Sequence, residues 1–211
     1  MYKRDIKILV ILPLMVVFLF WSIITNAKIL DIKHMGEVKI LSKWIKTHYL
    51  HKDPNKAHSL AEAIVTTADK RNQDPFLLAS IIASESSFKV NARNKSAVGL
   101  MGIIPRYHKQ AIRGRNIMDP KVNIDVGSIT LKEYTDANNG NIKQALSNYR
   151  GLRYELSKSY IAKINSYRQK LASLYEARYS VMDSISNYVV INSIFNNNVM
   201  DGRFKEKLVL N

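Results

Sequence analysis

The chain has 211 residues, 46% of them hydrophobic, and a formal net charge of +15. That length and composition suit one domain of ordinary size with extensions, and the absence of cysteine excludes disulfides, thiolate catalysis and Cys-based metal sites. The excess of base calls for a polyanionic neighbour, but the bases are spread along the chain with no zinc-finger spacing and no RNA-binding sheet motif, so nucleic acid is not the expected partner.

Lys3, Arg4 and Lys7 precede an uncharged apolar run from Ile8 to Ile24. Its 17 residues reach the lower end of the roughly 17–25 that a spanning helix requires. Trp21 suits an interfacial anchor, and the positive charge ahead of the run predicts a cytoplasmic N-terminus with everything after it exported. A cleaved signal peptide is the competing reading. Its apolar core would be about 7–15 residues long, and Thr25-Asn26-Ala27 matches a cleavage site poorly. Residues 1–27 are therefore expected to be a retained membrane anchor.

Residues 28–54 read as a linker containing a short helix, with Val38, Leu41, Trp44 and Ile45 at helical spacing. Ala57, Leu60, Ala61, Ile64, Val65 and Ala68 then mark an amphipathic helix, broken at Arg71-Asn72-Gln73. Asp74-Pro75 supplies an N-cap and a first-turn proline for a following apolar helix that ends at Glu85. Residues 91–96 read as loop. Residues 98–105 are apolar with two glycines, which fits either a short helical turn or close backbone packing. Asp119-Pro120 opens another helix, with Ile124, Val126, Ile129, Leu131 and Tyr134 as its apolar members. A turn at residues 138–141, a short helix from Ile142 to Asn148 and a long one from Tyr160 to Tyr175 follow. No alternating strand pattern of useful length precedes residue 186, so the fold class is mainly α. Residues 179–211 form a tail without a legible pattern.

Glu85 is the chemically conspicuous residue. It is the only acid between Pro75 and Met118, among eight basic residues from Lys89 to Arg115. Leu78, Ile81 and Ile82 precede it by seven, four and three positions and share its helix face. A carboxylate on a buried stripe at a helix C-terminus is expected to hold its proton, as a general acid must. A solvated helix-end glutamate is the plain alternative. Of the five histidines, His48 and His51 could share a helix face, but two imidazoles do not make a metal site; no metal or cofactor is expected.

Four segments in order resemble the lytic transglycosylases of the soluble-lytic-transglycosylase type. Ile82-Ala83-Ser84-Glu85-Ser86-Ser87-Phe88 is similar to the family segment that carries its catalytic glutamate. Ser96-Ala97-Val98-Gly99-Leu100-Met101-Gly102-Ile103-Ile104-Pro105 resembles the family's Gly-Leu-Met-Gln block. Asp119-Pro120-Lys121-Val122-Asn123-Ile124 resembles its Asp-Pro-x-x-Asn-Ile segment. Ala145-Leu146-Ser147-Asn148-Tyr149-Arg150-Gly151 resembles a segment ending Tyr-Asn-Ala-Gly, and Tyr160 falls where a later tyrosine is usual. The resemblance implies a lysozyme-like helical catalytic domain over residues 55–178, with peptidoglycan glycan strands as substrate and a periplasmic location beyond an inner-membrane anchor.

It further implies that Glu85 is the acid and base that cleaves the bond between N-acetylmuramic acid and N-acetylglucosamine, leaving a 1,6-anhydro end. Ser86 or Ser87 would hydrogen-bond Glu85 or the sugar. Gly99, Leu100 and Met101 would let the backbone approach the substrate, with Met101 against a sugar face. Tyr149 would position Glu85 or the N-acetyl group, and Tyr160 would join them. Two positions depart from the family pattern: Gly102 replaces a glutamine, and Arg150 stands for an asparagine with one residue fewer before Gly151. A hydrolysing lysozyme, or a non-catalytic wall-binding component of a secretion or phage assembly, is the alternative.

Overall fold

The structure, a computed structural model, describes the backbone of residues 30–200 and the side chains of residues 30–179. The apolar run from Ile8 to Ile24 and the end of the tail lie outside the described residues. Among the described residues no helix is long and apolar enough to cross a membrane. The chain divides into one unit through Arg168 and a second from Gln169 onward.

Helices dominate the first unit. Helix α1 covers residues 30–48. It is followed by α2 (Pro54–Arg71), α3 (Pro75–Glu85), a two-stranded antiparallel ribbon of β1 (Arg93–Asn94) and β2 (Ala97–Val98), and a 3-10 turn at Pro105–Tyr107. Then come α4 (Lys109–Ile112), α5 (Pro120–Ala137), α6 (Ile142–Arg150) and the start of α7 (Tyr154–Met200). Helix α7 supplies the second unit from Gln169 onward and carries helical backbone through much of the stretch expected as a patternless tail.

The helix starts follow from local chemistry. The Asp74 carboxylate accepts from the backbone N–H groups of Phe76 (2.7 Å) and Leu77 (3.2 Å). Asp119 does the same for Lys121 and Val122. A proline follows each cap at a position whose own N–H would have no helical partner.

Helix α3 differs from the expectation of a one-sided stripe. Every residue from Pro75 to Ala83 is buried, as suits a helix without a polar face. It is the buried helix of the domain, and only its last turn reaches the surface.

Helix α1 falls in the stretch expected as linker, yet it buries Val38, Leu41, Trp44 and Ile45. Trp44 packs edge-on against Phe88 (5.9 Å between ring centroids) and Tyr167 (5.7 Å). Tyr49 also meets Phe88, at 4.9 Å. This aromatic cluster ties α1 and the first turns of α7 to the segment just after Glu85. The ribbon was not legible because two-residue strands carry no usable alternation.

Glu37 on α1 is an expensive feature of this packing. It is 4% exposed, and its Oε2 is buried with no hydrogen-bond partner. Burial raises its pKa above the usual carboxylate value. The charges of Asp69 and Asp74 push the same way, while Lys33 (3.8 Å away) and His34 oppose them. A carboxyl whose folded pKa is raised favours the native state while it is protonated, and stability is lost as pH rises through that pKa. The Glu37→Gln variant, which cannot ionise, should be more stable than wild type at pH 7.5 by about 1 kcal/mol. The gap should close toward pH 4, as read by thermal unfolding across the pH series.

Candidate active site

Four elements converge on Glu85. The residue ends α3, and its side chain is 12% exposed. The loop after β2 passes beside it. A Cβ placed on Gly102 would lie 2.9 Å from Glu85 Oε2, and Gly102 has φ +63°. The last turn of α6 contributes Tyr149 and Arg150, and α7 contributes Tyr160.

The loop is held from α5. Asn123 Oδ1 accepts from the Met101 N–H (2.8 Å), while its Nδ2 donates to the carbonyls of Val98 and Ile117, both at 3.1 Å. Gly99, at φ +76°, lies so close to this amide that a Cβ would sit 2.1 Å from Nδ2. One buried side chain thus fixes the backbone on both sides of Leu100. From the other direction the Tyr149 hydroxyl donates to the Met101 carbonyl at 2.7 Å. Asn123 belongs to a segment quoted for the resemblance, but its clamping role depends on contacts about 22 residues away in sequence that no local pattern shows.

Two phenols and a guanidinium lie around Glu85. Burial and, next, the charge of Glu85 push the Tyr149 hydroxyl well above its usual pKa. The same two causes, in the same order, raise that of Tyr160. Both phenols therefore stay protonated. The Tyr160 hydroxyl is buried toward Glu85 without closing a well-aligned hydrogen bond. Arg150 Nη1 lies 3.4 Å from Glu85 Oε2, with the arginine side chain 43% exposed. Its guanidinium also stacks over the Tyr160 ring at 5.1 Å.

The expected site residues are thus brought together unevenly. Glu85, Tyr149 and Tyr160 form one cluster with Gly102 and Arg150. Ser87 is exposed one residue past the end of the α3 cap. Ser86 is buried, and its hydroxyl is committed to the Ile82 carbonyl at 3.0 Å. Leu100 and Met101 are buried at 1% and 0% exposure, and the Met101 side chain packs on Gly127. The expectation that Met101 lies against a sugar face is corrected by that inward turn; what this residue offers the cleft is its backbone. Asp125, an acid further along the chain, is engaged by Arg71 and Arg115. Asp119 is spent as a helix cap.

A separate hollow of about 560 Å³ between α2 and the start of α5 is lined by His58, Glu62, Lys70, Arg115 and Lys121, among others. It shares no residue with the Glu85 cluster.

The family described as "Transglycosylase SLT domain" matches residues 62–168, just over half of the 211-residue chain. The chain belongs to the transglycosylase SLT family. Membership places it among the lytic transglycosylases as a class, and the matched span contains the whole Glu85 cluster. Among solved structures, an inactive mutant of the lytic transglycosylase Slt from Pseudomonas aeruginosa is similar to this SLT-family chain at 21% identity and a TM-score of 0.49. The likeness covers 55% of this chain and 24% of that one, so the chain spans about a quarter of that protein's length.

Gly102 tests the geometry. An added methyl group would meet the Glu85 carboxylate, the movable end of a flexible side chain, so the carboxylate would move. The left-handed φ adds about 1–2 kcal/mol of strain. Gly102→Ala should lower kcat on purified peptidoglycan by on the order of 10–100-fold, the scale on which small misplacements of reacting groups act. Thermal unfolding should show only the modest strain cost. An unchanged kcat would mean that the carboxylate is not held by this contact.

Proposed function

We propose that this protein cleaves the glycan strands of peptidoglycan with Glu85 as its single acid and base, leaving 1,6-anhydromuramoyl ends. The observation that carries the reading is the character of the site. One nearly buried carboxylate has, among the described residues, a guanidinium at 3.4 Å and the buried Tyr160 phenol turned toward it. Two-carboxylate glycosidase chemistry needs a second acid flanking the scissile bond, and the next acids along the chain are otherwise engaged, Asp119 as a helix cap and Asp125 by two arginines.

In the proposed reaction, protonated Glu85 donates to the glycosidic oxygen as the bond from the muramoyl C1 breaks. The N-acetyl group of the same muramoyl sugar stabilises the positive charge left at C1. Glu85, now a carboxylate, takes the proton of the muramoyl C6 hydroxyl, whose oxygen bonds to C1. The glutamate ends as it began, and no water is consumed. The buried Tyr160 phenol and Arg150 stabilise the carboxylate during its ionised interval, with little reorganisation needed at that moment.

Residues 1–27 would hold the domain at the outer, periplasmic face of the inner membrane, by the charge and length argument given from the sequence. There it would open or remodel the wall locally, including at a secretion or phage assembly.

The test is product chemistry. Full-length protein in mild detergent should release muropeptides one water lighter than the products of hydrolysis, by mass spectrometry. Glu85→Gln should lower the rate on the order of 10³-fold, within the range of general acid–base catalysis, with unfolding temperature little changed. Reducing ends instead of anhydro ends would make the enzyme a hydrolysing lysozyme. Full activity in the glutamine variant would remove Glu85 from the chemistry.

A further inference from the structure

Arg150 is poised but not saturated. Its contact with Glu85, at 3.4 Å, is long beside the roughly 2.7–2.9 Å of a strong charge-assisted bond. The guanidinium carbon lies 5.1 Å from the centroid of the Tyr160 ring, and Glu85 is its one carboxylate neighbour among the described ion pairs. The side chain is 43% exposed. A planar fork in this condition is suited to receive a second carboxylate side-on.

We infer that Arg150 selects muramoyl residues whose lactyl arm ends in a free carboxylate, that is, glycan strands already stripped of their stem peptides. This rests on the reading of Glu85 as the residue at the scissile bond. That bond leaves C1 of the muramoyl ring, and the lactyl arm leaves C3 of the same ring. A guanidinium beside Glu85 is therefore within one sugar of the lactyl carboxyl. When a stem peptide is attached, that carboxyl is a neutral amide and offers Arg150 no charge. When the peptide has been removed, it is an anion of the shape that the arginine fork matches. The reaction that must supply this substrate is hydrolysis of the amide between lactyl group and peptide.

Binding decides the matter without turnover. Full-length Glu85→Gln protein is titrated with three soluble strand preparations: peptide-free, peptide-bearing, and peptide-free with the lactyl carboxyls capped as methylamides. The peptide-free strands should bind about tenfold more tightly than the capped ones, as expected for one charge-assisted contact at a partly exposed site. Arg150→Gln in the same background should bring the ratio close to one, and Arg150→Lys should retain part of it. A ratio near one before Arg150 is changed, or a ratio that survives Arg150→Gln, overturns the assignment. A preference for peptide-bearing over capped strands would move the carboxylate to the stem and overturn it equally. Turnover by the wild-type chain reports separately: the binding preference without anhydro products defeats the proposed reaction and leaves the role of Arg150 standing.

Discussion

The site depends on a helix that has no wet side. Nine consecutive residues of α3, Pro75 to Ala83, are buried, and two residues later the chain presents a carboxylate. Full burial of a Leu or Ile side chain is worth about 1.5–3 kcal/mol, and Leu78, Ile81 and Ile82 are each 0% exposed. Those contacts fix the axis and rotation of α3, and therefore the point from which the Glu85 side chain departs. A catalytic group rooted in the core is positioned more tightly than one carried on a loop. The aromatic packing of Phe88 on Trp44 and Tyr49 then secures the chain where it leaves the helix.

The surroundings of Glu85 complete the constraint. Tyr149 has two tasks that a packing tyrosine would lack. Its hydroxyl holds the Met101 carbonyl, and its ring brings a protonated phenol near the carboxylate. Because Asn123 holds the N–H of the same residue, the loop is gripped on both sides of Met101. The backbone beside Glu85 is thereby set by α5 and α6 jointly. The loop has little room to adjust, which explains why Gly99 and Gly102 both adopt left-handed backbone at close approach.

The parts legible in the sequence were those governed by neighbours along the chain. The caps at Asp74 and Asp119, the prolines after them and the apolar spacing of α2 all act within a turn or two, and the structure holds each of them. Glu85 stood out because charge is scarce around it. What stayed hidden depended on distance. The clamp by Asn123 and the meeting of Glu85 with Arg150, 65 residues apart, are tertiary facts. The resemblance implied Met101 against a sugar face, but Gly127 opens a slot in α5 into which the side chain turns. Helix α1 read as spacer because its core residues lie in a mixed, basic stretch.

The two departures from the family pattern, Gly102 and Arg150, are far apart in sequence but converge on one atom. A Cβ at position 102 would lie 2.9 Å from Glu85 Oε2, and the Arg150 guanidinium lies 3.4 Å from the same oxygen. A glutamine at 102 would place a neutral amide side chain beside that carboxylate. Glycine removes it, and arginine brings a full positive charge to the same place. In the reaction proposed for Glu85 the exchange would bear on both proton transfers, because a nearby cation favours a charged carboxylate over a neutral carboxyl: it would help the second transfer and oppose the first. On the role inferred for Arg150, an anion arriving with the substrate would draw the guanidinium off Glu85 and relieve that opposition when proton donation is needed. The long contact between Arg150 and Glu85 is what both proposals call for, close enough to act on the carboxyl group and loose enough to be given up.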